Sequence, residues 1–197
     1  ISIGAGLSSS ASIEMATAYA LSRLAGNSIP VIELVKLAQR AENRFVGVNC
    51  GIMDQFAVAV GRKDHAVLLA CDTLAYEHVP FRSEGLKLII GNTNKRRGLV
   101  DSEYNARRAQ CAEAVERLRR RYPELTLLGE LGAREFADAA DLIDDDVVRR
   151  RARHVIEENA RVLQSVEALK NDRFDEFGRL MNASHESLQR LFEVSCF

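Results

Sequence analysis

Close to the start of the chain, Gly4-Ala5-Gly6-Leu7-Ser8-Ser9-Ser10-Ala11-Ser12 runs without a break into apolar residues at helical spacing. Small side chains let a backbone curl closely around an anion. A helix that begins at once aims its unpaired first-turn N–H groups, and the positive end of its dipole, at the same point. The serine hydroxyls beside it add ligands for phosphate or for a metal ion. A flexible Gly/Ser turn is the plain alternative, and the following helix with a triple serine at its entrance counts against it. The two common nucleotide loops do not fit: there is no GxxxxGK[ST], and in the spacing G-x-G-x-x-G Ser9 stands where the third glycine belongs. Protein-kinase signatures are absent as well.

The remainder of the chain reads as mixed helix and strand, then almost wholly helix. Ile13, Ala16, Ala20, Leu21 and Leu24 recur at helical spacing, and Gly26-Asn27 supplies a left-handed stop. A second helix starts near Ser28-Ile29-Pro30, carries Val31, Leu34, Val35, Ala38 and Ala41 on one face, and ends near Glu42. Residues 47–51 form a loop, 52–60 a short apolar helix, and Gly61 its terminator. Residues 66–70 and 76–81 read as a strand pair, and 86–90 as a buried strand between Gly85 and Gly91. Helices follow at about 101–121, 146–170 and 172–193. The change of pattern puts a domain boundary between residues 91 and 106.

Composition bounds the possible partners. With 197 residues and 47% hydrophobic content the chain can bury one substantial core or two modest ones. Its 27 Lys and Arg against 28 Asp and Glu leave a net charge of -1, so no overall excess draws it to nucleic acid or to an anionic membrane. The runs Arg119-Arg120-Arg121 and Arg149-Arg150-Arg151 read as solvated helix faces, having acidic neighbours and no interleaved aromatics for base stacking. No apolar run is long enough to span a bilayer and no signal peptide is recognisable, so the expected location is cytoplasmic. Cys50, Cys71, Cys111 and Cys196 are scattered without a CxxC pair and read as reduced thiols. His65, His78, His154 and His185 lack ligand spacing. The chain opens without a methionine and runs straight into a functional loop, so residues on both sides are expected to be missing.

Two carboxylates deserve a chemical reading. Glu42 falls at a helix C-terminus, where its charge meets the negative end of the dipole. An ion pair with Arg44 would compensate it, and composition alone favours that; a magnesium ion shared with a serine hydroxyl and phosphates is the alternative. Asp54 sits within Cys50-Gly51-Ile52-Met53-Asp54-Gln55-Phe56, among apolar side chains that a solvent-facing carboxylate does not require. It is either a helix cap or a group poised to accept a hydroxyl proton in phosphoryl transfer, and local sequence does not choose.

The segment Gly4–Ser12 resembles the second signature of the GHMP small-molecule kinases in its galactokinase form. Cys50–Phe56 is similar to the segment holding the catalytic aspartate of that family. Asn92-Thr93-Asn94-Lys95-Arg96-Arg97, with Ser102-Glu103-Tyr104-Asn105-Ala106-Arg107-Arg108, resembles its bacterial members, and Glu193-Val194-Ser195-Cys196 fits their C-terminal half. The resemblance covers essentially the whole chain in one register.

It implies a two-domain α+β fold. Residues 1–95 would belong to an N-terminal, ribosomal S5 domain 2-like ATP-binding domain, and 96–197 to a helix-rich C-terminal α+β domain. It further implies that Gly4, Ala5, Gly6, Leu7, Ser8, Ser9 and Ser10 wrap the ATP phosphates, that Ser10 and Glu42 hold Mg2+, that Asp54 is the base or orienting group, and that Gly51, Asp54 and Tyr104 contact the sugar. The implied reaction is phosphorylation of galactose by ATP at the anomeric hydroxyl, the first phosphorylation of galactose catabolism. The alternatives are a related sugar-1-kinase acting on arabinose, N-acetylgalactosamine or a uronic acid, and a non-catalytic galactose sensor. The sequence departs from the family pattern at Ser2, where proline is usual. It also lacks the N-terminal signature, with an arginine near the reacting phosphate, and the C-terminal glycine-rich signature, so the 197-residue segment alone is expected to be inactive. Oligomeric state is not legible.

Overall fold

The computed structural model describes residues 7–47, 50–82, 85–91 and 100–194, and of residues 100–104 the backbone alone. The chain divides into two compact units, residues 1–101 and 102–197. The boundary expected at 95/96 falls on residues 92–99, outside the described residues.

In the first unit, helices α1 (Ser9–Leu24), α2 (Val31–Ala41) and α3 (Met53–Val60) pack on one another beside an antiparallel hairpin of β1 (His65–Leu69) and β2 (Tyr76–Pro80). The signals read from the sequence act where expected. Gly26 adopts φ 70° after α1, and the Asn27 amide reaches back to the Ser22 carbonyl at 2.9 Å, closing the helix. Pro30 caps α2, and Gly61 stops α3. Beyond Ala41 the chain makes a further π-helical turn, Glu42–Val46, ended by Gly47 at φ 84°. Met15, Leu34, Val35, Ala38 and Phe56 form the core, with Val67, Leu69 and Leu74 from the hairpin side packed against it. The strands pair in the register Val67 to His78, and Tyr76 lies edge-on to Phe56 at 5.2 Å between ring centroids.

Two expectations fail in this unit. Residues 86–90 form no strand, and Leu88 and Ile89 are 69% and 88% exposed. An apolar run becomes a buried strand only where neighbours complete its ladder and cover its faces, and none of the described residues does so. The face of α1 chosen by spacing, Ile13, Leu21 and Leu24, stays exposed, whereas Ala11, Met15 and Ser22 are buried. Apolar residues surround α1, so periodicity fits more than one face, and packing against α2 and α3 selects the side where small Ala11 permits close approach.

The second unit is helical as described: α4 (Val100–Leu118), a short α5 (Ala133–Ala137), α6 (Asp146–Lys170) and α7 (Phe174–Ser187), the last continued by a π-helical turn, Leu188–Phe192. Its core joins Ala114, Val115 and Leu118 of α4 to Val148, Ala152 and Ile156 of α6 through Leu125, Leu128, Leu131, Phe136 and Ile143. α6 begins on an ordinary cap, with Asp145 Oδ1 accepting from the Val147 and Val148 amides at 2.7 and 3.1 Å.

The arginine run 149–151 is not the solvated face expected of it. Arg151 is 2% exposed and donates to Gln110 Oε1, the Leu191 carbonyl and the Glu193 carboxylate. A buried guanidinium persists because its donors find acceptors, which a count of charges along the sequence does not reveal. His154, also buried, shares a hydrogen bond of 2.8 Å with Ser187 Oγ and lies against Phe192. No helix among the described residues is long and apolar enough to cross a membrane.

Candidate active site

The serine loop and Asp54, 46 residues apart in sequence, meet at the entrance of α1. Ser8 is the N-cap of that helix and donates from Oγ to Asp54 Oδ1 at 2.9 Å. Asp54 occupies the first turn of α3, where a carboxylate is favoured by the helix dipole. Its neighbours fix it from behind: Phe56 and Gln55 are both fully buried, the first in the core, the second in a polar cluster between the helices. The apolar residues around Asp54 thus anchor α3, and the carboxylate stands at its outer end.

Gln55 organises the second carboxylate. Its Nε2 donates to Glu42 Oε2 at 2.8 Å and to Glu14 Oε2 at 3.3 Å, while its buried Oε1 has no hydrogen-bond partner. The amide, on α3, is therefore what offsets the charge of Glu42 at the end of α2. Burial raises the Glu14 carboxyl above the usual carboxylate range; the Gln55 amide works against that shift and the charge of Glu42 adds to it. Cys50 completes the cluster, its Sγ 3.2 Å from Asn43 Oδ1 and 3.7 Å from Glu42 Oε2. Burial, with Glu42 next, pushes its thiol up, which favours the protonated form.

Ser10 lies on the exposed first turn of α1, four residues before Glu14 and so on the same side of the helix. Glu42 and the Ser10 face of α1 are thus connected through Gln55 and Glu14. Leu7 is half exposed just ahead of the helix, Ser9 opens its first turn, and Gly51 is exposed just ahead of α3. Gly4, Ala5 and Gly6 lie outside the described residues, as does the side chain of Tyr104, whose backbone belongs to α4 in the second unit. Sequence reasoning missed Glu14 and Gln55. The available signals were the i, i+4 relation of Glu14 to Ser10, and an amide next to Asp54 in otherwise apolar surroundings.

Among the described residues no three His, Cys, Asp or Glu side chains converge as a metal site. The first unit offers instead a hydroxyl at Ser10 on the exposed start of α1, and at Glu42 a carboxylate bonded to Gln55, whose Oε1 is unpartnered. These are hard oxygen donors that suit magnesium when phosphates and water supply the other positions.

Residues 1–62 match the model of the GHMP kinases N-terminal domain. A galactokinase from Halalkalibacterium halodurans is 50% identical over 192 residues, covering 98% of this chain and 49% of that protein. One from Thermotoga neapolitana is 50% identical over 194 residues, covering 98% of this chain and 53% of its own length. The crystal structure of Lactococcus lactis galactokinase complexed with galactose superposes with a TM-score of 0.90 at 41% identity, over 100% of this chain and 50% of that one. The chain spans about half the length of the curated relatives it matches. Residues 1–62 are thus similar to the GHMP kinases N-terminal domain, and the chain as a whole is similar in sequence and fold to about half of a galactokinase.

Proposed function

We propose that the protein carrying this chain is a galactokinase, which transfers the γ-phosphoryl group of ATP to the anomeric hydroxyl of α-D-galactose and yields galactose 1-phosphate and ADP. The observation that carries this reading is the hydrogen bond from Ser8 to Asp54, which holds a carboxylate at the mouth of an anion-seeking helix. The similarity to galactokinases over 98% of this chain supports the choice of sugar. The 1–95 and 96–197 segments would be its ATP-binding and C-terminal domains.

In this reading residues 4–10 and the first-turn amides of α1 bind the ATP phosphates and orient the γ-phosphoryl group. Asp54 accepts the proton of the sugar hydroxyl, or fixes that hydroxyl's direction, with Gly51 and Tyr104 contributing to the sugar site. Ser10 and Glu42 would hold Mg2+, whose charge offsets that of the phosphates. Gln55 keeps Glu42 in place. The enzyme would work in the cytoplasm, where ATP is supplied.

The test is Asp54→Asn in the complete gene product, a change that keeps size and most hydrogen bonding but removes the proton acceptor. Turnover of galactose should fall about 10²–10⁴-fold, while galactose affinity measured by calorimetry changes far less. Near-normal turnover in the variant would remove Asp54 from the reaction, and an unaltered protein that releases no ADP in response to galactose would overturn the galactokinase reading itself.

A further inference from the structure

Two helices in this chain begin on residues suited to capping, and they use them differently. Asp145 bonds the first-turn amides of α6 from an extended backbone. Ser8, at the head of α1, makes no side-chain cap bond and sits in the left-handed region at φ 54° and ψ 42°. It is the one described N-cap residue other than glycine with a positive φ. A serine N-cap ordinarily gains stability by bonding the N2 or N3 amide, and a side chain in the left-handed region costs free energy, so Ser8 forfeits on both counts.

The surrounding contacts hold it there. The Ser8 carbonyl accepts from the Ser12 amide at 3.0 Å and from Ser12 Oγ at 2.9 Å, which fixes the backbone turn. The hydroxyl, turned away from the helix, donates to Asp54 Oδ1 at 2.9 Å. Two consequences follow from this one rotation. The first-turn N–H groups of α1 receive no cap and remain for an anion. Asp54, an exposed side chain with two free torsions, is held by Oδ1, so that Oδ2 is the oxygen left for a substrate hydroxyl.

We propose that the Ser8 hydroxyl positions Asp54 and is not itself a phosphate ligand, Ser8 serving the phosphate loop through its backbone alone: its left-handed conformation aims the hydroxyl at the carboxylate before any substrate binds. The proposal rests on Asp54 acting on the sugar hydroxyl, as in the function proposed above. Orientation of a reacting group contributes to the rate without contributing to nucleotide affinity, which separates this role from phosphate binding.

The experiment compares Ser8→Gly and Ser8→Ala, alone and combined with Asp54→Asn, in the complete gene product. Glycine adopts the left-handed turn freely, so it keeps the backbone and removes only the hydroxyl, which covers the case in which alanine disturbs folding. Both variants should lose about tenfold in kcat, with KM for ATP and calorimetric ADP affinity within about twofold of wild type. In the Asp54→Asn background, removing the hydroxyl should cost no further turnover, because there is no carboxylate left to orient. A fivefold or greater loss of ADP affinity with kcat intact would make Ser8 a phosphate ligand and overturn the proposal. Unchanged kcat in both single variants, or penalties that multiply in the double variants, would overturn it as well. Failure of the reading on which this rests looks different: the unaltered protein would then phosphorylate no galactose, or Asp54→Asn alone would leave its turnover normal.

Discussion

Each unit of this chain buries a large polar side chain, and the two are satisfied to different degrees. Arg151 of the second unit is held by a side-chain amide, a backbone carbonyl and a carboxylate, one for each nitrogen. Gln55 of the first unit is more deeply buried, spends its amide nitrogen on two carboxylates, and leaves its oxygen without a partner. A buried guanidinium with every nitrogen partnered rigidifies a fold; a buried amide with its acceptor left open carries a cost that packing does not explain. The second unit thus spends its buried charge on tying α4, α6 and the end of α7 together. In the first unit the open acceptor lies beside Glu42, among the residues proposed to hold Mg2+.

The comparison can be broken most directly at Arg151. Arg151→Ala takes the donor from the Leu191 carbonyl, leaves Gln110 Oε1 only its 3.4 Å bond from Arg107, and opens a cavity beside α6, so urea unfolding should show a loss of about 3 kcal/mol or more. A loss below about 1 kcal/mol would mean that the network is ornament and that the second unit is held by its apolar core alone. Glu193→Gln should cost less than Arg151→Ala, since its carboxylate remains in contact with solvent.

His154 tests the same unit by pH. Burial, with Arg161 next, lowers its pKa from 6.5 to about 4. The unfolded chain therefore takes up a proton below pH 6.5 that the folded chain refuses until about pH 4. Stability is unaffected above the unfolded value and is lost as pH falls through that window, by about 2 kcal/mol at pH 5. His154→Gln should flatten this part of the profile in denaturation midpoints measured from pH 7 to 5. An unchanged slope would place the acid sensitivity elsewhere.

The smallest expected effect on stability sharpens the other side of the comparison. Gln55→Met removes the amide's bonds to Glu42, Glu14 and Cys50 but also the unpartnered Oε1, and water can replace the donor at the two part-exposed carboxylates, so unfolding should change by about 1 kcal/mol or less. The magnesium requirement of galactose phosphorylation should nevertheless rise severalfold, because Glu42 loses its donor. A large stability loss with an unchanged magnesium titration would make Gln55 a structural group like Arg151.

How much of this was readable in advance depends on the range of the interaction. Local signals were enough for α1, α2, α3 and the hairpin: Gly26 and Gly61 act on their own turns, and the short apolar run of β1 pairs with the segment that follows it in sequence. They failed at residues 86–90 and on the face of α1, because burial there depends on what other segments bring. The loop, Asp54 and Glu42 could be named as chemical candidates from residue type and setting. What joined them could not, since the Ser8 to Asp54 bond crosses 46 residues and the Gln55 amide draws on two other helices.

The sequence by itself therefore determined the helices and their stops, the anion-seeking start of α1, and, through resemblance, the kinase family. Those properties follow from backbone sterics, hydrophobic period and motif, which are written within a few residues of one another. Only the tertiary structure decided that Ser8 gives up its cap for Asp54, that Glu42 is answered by Gln55, and that Arg151 of a charged run is buried. In each case the deciding term is a hydrogen bond between groups on different elements, which forms only once those elements have packed and which, for Gln55 and Arg151, gains strength from desolvation.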